Sequence, residues 1–221
     1  MKIEIKGIKK SYGKKEILKD ISFSSRSGKC VGVLGKNGCG KSTLLSILAG
    51  VQKGEGSFKI DGHELFGSPA LLRRNVGYVP QGTPLIEELS ARDNLLLWYS
   101  RGDMERELDG GVLSMLGVGD FLKTQVSRLS GGMKKRLSIG CAMFEHPPVL
   151  LLDEPCAALD IECKENILAY LADYKSKGGA LILTTHDEME LSLCDECYIM
   201  KDGVLVRYDY DGDLSRLVSN L

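Results

Sequence analysis

Long apolar runs are missing from this chain. Stretches such as Val149-Leu150-Leu151-Leu152 fall far short of the ~20 apolar residues a membrane-crossing helix needs. The opening Met1-Lys2-Ile3-Glu4-Ile5-Lys6 alternates like a strand and lacks the apolar centre of a signal peptide. The chain is therefore expected to stay inside the cell without crossing a membrane itself. An excess of either charge is missing too: 29 Lys and Arg against 30 Asp and Glu leave a formal charge of −1. The basic residues are scattered rather than blocked, so no nucleic-acid partner is expected. The 7 cysteines are odd in number, an arrangement that suits a reducing compartment better than a disulfide framework. Cys194-Asp195-Glu196-Cys197 has C-x-x-C spacing but no second pair, and reads better as small residues beside a strand start than as a zinc or redox site. Repeats and low-complexity segments are absent.

What is present is a phosphate-binding loop. Gly35-Lys36-Asn37-Gly38-Cys39-Gly40-Lys41-Ser42-Thr43 is G-x-x-x-x-G-K-[ST], the Walker A motif. Its glycines let backbone N–H groups wrap a phosphate chain. Lys41 adds a cation for the terminal phosphates, and Ser42 offers a hydroxyl to Mg²⁺. The helix expected from about Lys41 to Ala49 aims its positive end at the same anion. Context supports the motif: Val31-Gly32-Val33-Leu34 reads as a buried strand, and Leu44, Leu45 and Leu48 give the helix an apolar face.

The organisation is α/β. The first 30 or so residues read as a β-hairpin with Ile3, Ile5, Ile8, Ile21 and Phe23 turned inward. Short antiparallel strands over 54–64 turn at Asp61-Gly62. Ser68-Pro69 opens a short helix through Arg74, and Val76–Val79 is a strand ended by Pro80. From about 83 to 145 the pattern becomes helical. A capping box at Ser90–Asp93 opens a helix through Tyr99, and 104–116 and 132–144 are further helices. Val149–Leu152 and Leu181–Thr184 are near-continuous apolar runs, as for parallel strands buried on both faces, with a helix at Glu162–Ser176 between them. A last hairpin turns at Asp202-Gly203.

Val149–Leu152 ends in Asp153-Glu154, the Walker B pattern. Asp153 suits an oxygen ligand for Mg²⁺, and Glu154 suits a base for water. Leu129-Ser130-Gly131-Gly132-Met133 feeds a helix whose apolar face is Met133, Leu137, Cys141 and Phe144. This is a second anion-binding element. Two such elements on one chain imply two anions, or two chains sharing one.

These residues resemble the ATP-binding subunit of an ABC transporter, and the resemblance covers essentially the whole chain. Leu129–Met133 is similar to the LSGGQ signature, with Met133 where Gln is usual. Gln81 matches the Q-loop glutamine, which contacts Mg²⁺ and the attacking water and senses the membrane partner. Ala158-Leu159-Asp160 matches the D-loop, His186 the switch histidine on the γ-phosphate, and Tyr12 the aromatic that stacks on adenine. Taken singly, Tyr12 also reads as a hairpin aromatic, Gln81 as a surface turn residue and His186 as a strand-end cap. Cys156 and Ala157-Ala158 stand where Thr, Ser and Gly are frequent, and Lys36 where Pro is.

The resemblance implies a phosphate-loop NTPase core with a mainly parallel sheet, an N-terminal antiparallel β region and an inserted helical subdomain. The core would be 1–82 and 146–221, the helical subdomain about 83–145, together one ATPase domain over 1–221. It implies ATP and Mg²⁺ as ligands, with Glu154, His186, Gln81 and Lys41 in catalysis. Ser42, Gln81 and Asp153 would meet the metal. Tyr12, Gly35–Thr43, Ser130, Gly131, Gly132 and Asp160 would meet the nucleotide. It implies a head-to-tail dimer, with an identical or a related ATPase subunit, in which Ser130–Gly132 of one subunit caps ATP on the other. A separate transmembrane permease subunit would dock near Thr83–Tyr99, placing the chain at the inner face of the cell membrane. Its compact length resembles export-type subunits. A soluble ABC ATPase driving a non-transport machine, or a nucleotide-binding module without turnover, are the other readings.

Overall fold

The computed structural model describes residues 1–212, so residues 213–221 of the expected core lie outside the described part. Strands β1 (Lys2–Tyr12) and β2 (Lys15–Arg26) form the expected antiparallel hairpin. Ile3 and Ile5 are two apart, but Ile8 falls out of phase with them. The pairing register with β2 shifts between Ile5 and Ile8, and all three side chains point into the core at 0% exposure. Strand β3 (Cys30–Leu34) runs into the glycine-rich loop and helix α1 (Lys41–Leu48). Strands β4 (Glu55–Ile60) and β5 (His63–Glu64) complete an antiparallel sheet of order β2-β1-β4-β5. Helix α2 (Pro69–Asn75) starts as expected, with the Ser68 hydroxyl accepting from the Leu71 N–H, and leads into β6 (Val76–Val79).

The helical region is more broken than its sequence pattern suggests. Helix α3 (Ala91–Leu95) is capped by Ser90 as expected, but its α-turns stop at Leu95 rather than Tyr99. The helix expected over 104–116 is two: α4 (Arg101–Gly110) and α5 (Val112–Met115). The Gly110-Gly111 pair is the reason. Glycine is the weakest helix former after proline, the chain opens to an extended conformation at Gly111, and the Glu107 carboxylate restarts the helix by accepting from the Val112 N–H at 2.7 Å. Helix α6 (Gly131–Ala142) was expected to bury one stripe. It is instead buried nearly all round, at Gly132, Lys135, Leu137, Ser138, Ile139, Gly140 and Cys141, while Met133 and Phe144 are half-buried. It lies between the main sheet and the smaller helices, in contact with α3, α5, α7 and β6.

Strand β7 (Val149–Asp153), helix α7 (Ile161–Ser176), β8 (Ala180–Thr184), the short α8 (Glu188–Leu191) and the hairpin β9 (Glu196–Lys201) and β10 (Val204–Tyr208) complete the described chain. The main sheet has the order β10-β9-β3-β8-β7-β6, parallel throughout except for β10. Every residue of β3, β7 and β8 is buried. The two faces divide them by alternation. Val149, Leu151 and Ile182 join α1 and the antiparallel sheet in one apolar cluster; Leu150, Leu152, Leu181 and Leu183 join α6, α7 and the helical region in another.

Leu151→Ala, at 0% exposure, is expected to lower the unfolding free energy by about 2–5 kcal/mol in urea denaturation. Ile161→Ala, at 71% exposure, is expected to change it by less than about 0.5 kcal/mol.

Candidate functional site

Because β3, β8, β7 and β6 are parallel, their carboxyl ends share one edge of the sheet. In open α/β sheets that edge is where ligands sit. Here β3 delivers Gly35–Thr43, β6 delivers Pro80-Gln81, β7 delivers Asp153-Glu154 and β8 delivers Thr185-His186.

The loop after β3 needs its glycines. Gly35 has φ 153°, and a Cβ there would stand 2.7 Å from the Met200 carbonyl oxygen and the same distance from Cys39 Sγ. Gly40, at φ 114°, caps α1 and lies close against Ile17 and Leu18. Lys41 is 5% exposed, and its ammonium is turned into the loop. Nζ donates to the Gly35 carbonyl at 2.6 Å and the Lys36 carbonyl at 3.3 Å, and stands 3.2 Å from His186 Nε2 across 145 residues of sequence. Three N–H bonds thus meet three acceptors.

Asp153 and Glu154 are oriented by one hydroxyl. Thr184 Oγ1 donates to Asp153 Oδ1 at 2.5 Å and accepts from the Glu154 N–H at 3.0 Å. Glu154 takes a left-handed backbone at φ 47°, which turns its carboxylate off the strand line. Its Oε2 accepts from Gln81 Nε2 at 2.9 Å, and its Oε1 lies 3.4 Å from His186 Nε2. Burial pushes the His186 imidazole below its usual value; the Lys41 charge adds to that and Glu154 opposes it. His186 is therefore neutral at pH 7, with Nε2 as acceptor for the Lys41 ammonium.

Five of the expected positions thus stand together: Lys41, Gln81, Asp153, Glu154 and His186. Beside them opens a cleft of about 420 Å³, lined among others by Tyr12, Asn37, Ser42 and Thr43. The Tyr12 ring is half exposed, and its hydroxyl donates to Gln52 Oε1 at 2.5 Å. Lys36 is exposed and Cys39 half-buried. The cleft joins a ring, backbone N–H groups, a cation, hydroxyls and the Glu154 carboxylate, a set that suits a nucleotide polyphosphate.

Ser130 and Asp160 do not reach this cleft. They line a second one of about 460 Å³ with Met133, Arg136 and Cys163. Ser130 caps α6 by accepting from the Met133 N–H at 3.2 Å, and Asp160 caps α7 by accepting from the Cys163 N–H at 2.8 Å. Gly131 lies against Leu159, and Gly132 lies so close to Cys163 that a Cβ has no room there. Ala158, where glycine is frequent, takes a left-handed φ of 59°, which explains that frequency.

Two supporting residues escaped the motif reading. Thr184 was legible only as the last residue of an apolar strand. Glu190, at 1% exposure, accepts from the Cys156 N–H at 2.7 Å and so ties the chain after β7 to α8; burial raises its pKa. One acid among Asp187, Glu188 and Glu190 gives no sequence signal for that.

A family model described as ABC transporter matches residues 18–157. The chain belongs to the ABC transporter family of ATPases. This cassette is 34% identical, over 97% of its length, to the linearmycin resistance ATP-binding protein LnrL of Bacillus subtilis. Over 91% of its length it is 36% identical to the Nod factor export ATP-binding protein I of Sinorhizobium fredii, and 36% identical to the spermidine/putrescine import ATP-binding protein PotA of Bacteroides fragilis. It spans 71%, 60% and 45% of those three proteins. Among solved structures it is similar to a dimeric post-hydrolysis state of an ATP-binding cassette bound to ADP and Pi, with TM-score 0.82 and 28% identity, covering 94% of this chain and 97% of that one.

His186 is expected to titrate below 6.5 in an NMR pH series, and Lys41→Met is expected to raise that midpoint by removing a like charge. A folded-state value below the unfolded one means that the unfolded chain binds the proton more readily. Stability linked to His186 is thus present above about pH 6.5 and is lost as pH falls from there through the lower folded-state value. A wild-type midpoint above 6.5 would contradict the neutral, Lys41-facing imidazole.

Proposed function

We propose that residues 1–221 act as one ATPase domain, core 1–82 and 146–221 with the helical subdomain between, that hydrolyses ATP to power a membrane transporter of export type. One observation carries the reading: Lys41, Gln81, Glu154 and His186 converge within hydrogen-bonding range from four parallel strand ends.

The loop N–H groups and the α1 N-terminus receive the β- and γ-phosphates. Lys41 exchanges its two loop carbonyls for phosphate oxygens. Tyr12 offers its ring to adenine. Glu154 accepts a proton from water as the water oxygen attacks the γ-phosphorus. The bond from that phosphorus to the β–γ bridging oxygen breaks, giving ADP and phosphate. Gln81 holds Glu154 and the water in place, and neutral His186 donates its N–H to the γ-phosphate without adding charge. Positioning and charge stabilisation do most of this work.

The donor set also fits Mg²⁺. Asp153 is 2% exposed and, with Ser42 and Gln81, supplies hard oxygen ligands. Among the described residues no cluster of three or more His, Cys, Asp or Glu could cage a metal by itself. That suits an ion which takes one or two protein ligands and completes its shell with phosphates and water. When bound, it would neutralise charge on the phosphates.

Ser130–Gly132, turned to a different cleft, are read as the cap for ATP on a second copy or a related subunit, with Asp160 beside Ser130. The dimeric neighbour with ADP and Pi supports dimerisation. ATP then binds the closed dimer better than the open one, and that difference is what does work on a partner. No described helix is long and apolar enough to cross a membrane. The partner in this reading is a transmembrane permease subunit, with this chain peripheral on the inner face. Its docking surface is placed near Thr83–Tyr99, where Ile86, Leu97 and Trp98 are exposed apolar side chains. Export is supported by the name of the Nod factor export relative, 36% identical, beside an import-named relative of the same identity.

Lys41→Ala is expected to abolish ATP turnover in a phosphate-release assay; full turnover would refute the phosphate-loop role. Glu154→Gln is expected to bind ATP with Mg²⁺, not turn it over, and sediment as a dimer. A Glu154→Gln chain that stays monomeric at saturating ATP would refute the shared site.

A further inference from the structure

Lys134, Lys135 and Arg136 are adjacent, but only the middle one faces the site. Lys134 pairs with exposed Glu87 at 2.8 Å. Arg136 donates to the Leu116 carbonyl at 3.0 Å and lies over the Phe121 ring. Lys135 is 4% exposed, and a buried lysine must be partnered. Its Nζ donates to the Pro80 carbonyl at 3.0 Å and the Gln81 carbonyl at 3.1 Å. These carbonyls belong to the segment whose Gln81 side chain donates to Glu154 Oε2. Burial lowers the Lys135 pKa, while Asp153, Cys156, Glu190 and Glu154 act to raise it, so the ammonium sits in the field of the carboxylates behind the site.

We propose that Lys135 is a positioning residue for ATP hydrolysis. By holding the Pro80 and Gln81 carbonyls, it fixes the Gln81 amide on Glu154 and makes α6 and the Gln81 segment move as one body. Ser130 stands at the start of that same helix. A shift of the helix toward a partner copy's nucleotide is then carried to this chain's own Glu154. The path runs through Lys135 and Gln81 without a further element. An ammonium suits the task because its several N–H donors bridge two successive carbonyls.

The inference rests on the reading of the site as an ATPase, so turnover and ATP affinity of the unaltered chain are measured first. No turnover there sinks that reading, whatever Lys135 does. In the active chain, Lys135→Met is expected to keep ATP affinity within about threefold and to lose about tenfold or more in kcat per ATP-binding site, as a mispositioned catalytic group does. Lys135→Arg, which keeps charge and donors, is expected to recover most of that loss. In a Gln81→Ala background the same Lys135→Met change is expected to cost less than about twofold further, because both act through one contact. Lys135→Gln replaces the Met variant in each comparison should that variant fail to fold. A kcat per binding site within twofold of the unaltered chain would overturn the proposal. So would a full, additive loss on top of Gln81→Ala.

Discussion

The parallel pairing of β6, β7, β8 and β3 is the constraint on which everything else rests. Parallel strands need crossovers, and the crossovers bury both sheet faces. That burial fixes the register, since a one-residue slip would exchange Leu150, Leu152, Leu181 and Leu183 with Val149, Leu151, Ala180 and Ile182. With register and direction set, four carboxyl ends arrive at one edge. Residues as distant in sequence as Lys41 and His186 then meet at 3.2 Å.

At that edge the electrostatics are arranged in advance. The Lys41 ammonium is desolvated yet fully bonded to the loop and His186, and partial desolvation together with the Lys41 charge keeps His186 neutral. Thr184, at 0% exposure, uses both capacities of one hydroxyl to orient Asp153 and the Glu154 backbone. Glu154 holds an unfavourable backbone conformation there, which the two bonds from its N–H to Thr184 maintain. The carboxylate therefore points to Gln81 and His186 rather than along the strand.

Much of this was legible in the chain. Period-two alternation marked β1 and β2, continuous apolar runs marked β7 and β8, and glycine spacing marked the loop before α1. Lys41 was readable from the loop motif, and Asp153 and Glu154 from an apolar strand ending in two carboxylates, whereas Gln81 and His186 were readable only through the family resemblance. Three features were not. The break at Gly111 depends on a carboxylate cap from Glu107, which no local pattern announces. The full burial of α6 depends on what packs on its far side, so its apolar spacing suggested a stripe. Thr184, Glu190 and Lys135 act through contacts 30 or more residues away in sequence, and their residue types are common on surfaces.

The fold thus gathers Lys41, Gln81, Glu154 and His186 at one cleft and places Ser130 at another. The most direct measurement of that account is a structure of Glu154→Gln with ATP and Mg²⁺. The account predicts a head-to-tail dimer in which each γ-phosphate lies between Lys41 of one copy and Ser130–Gly132 of the other. A nucleotide enclosed by a single copy, with Ser130 facing solvent, would contradict it.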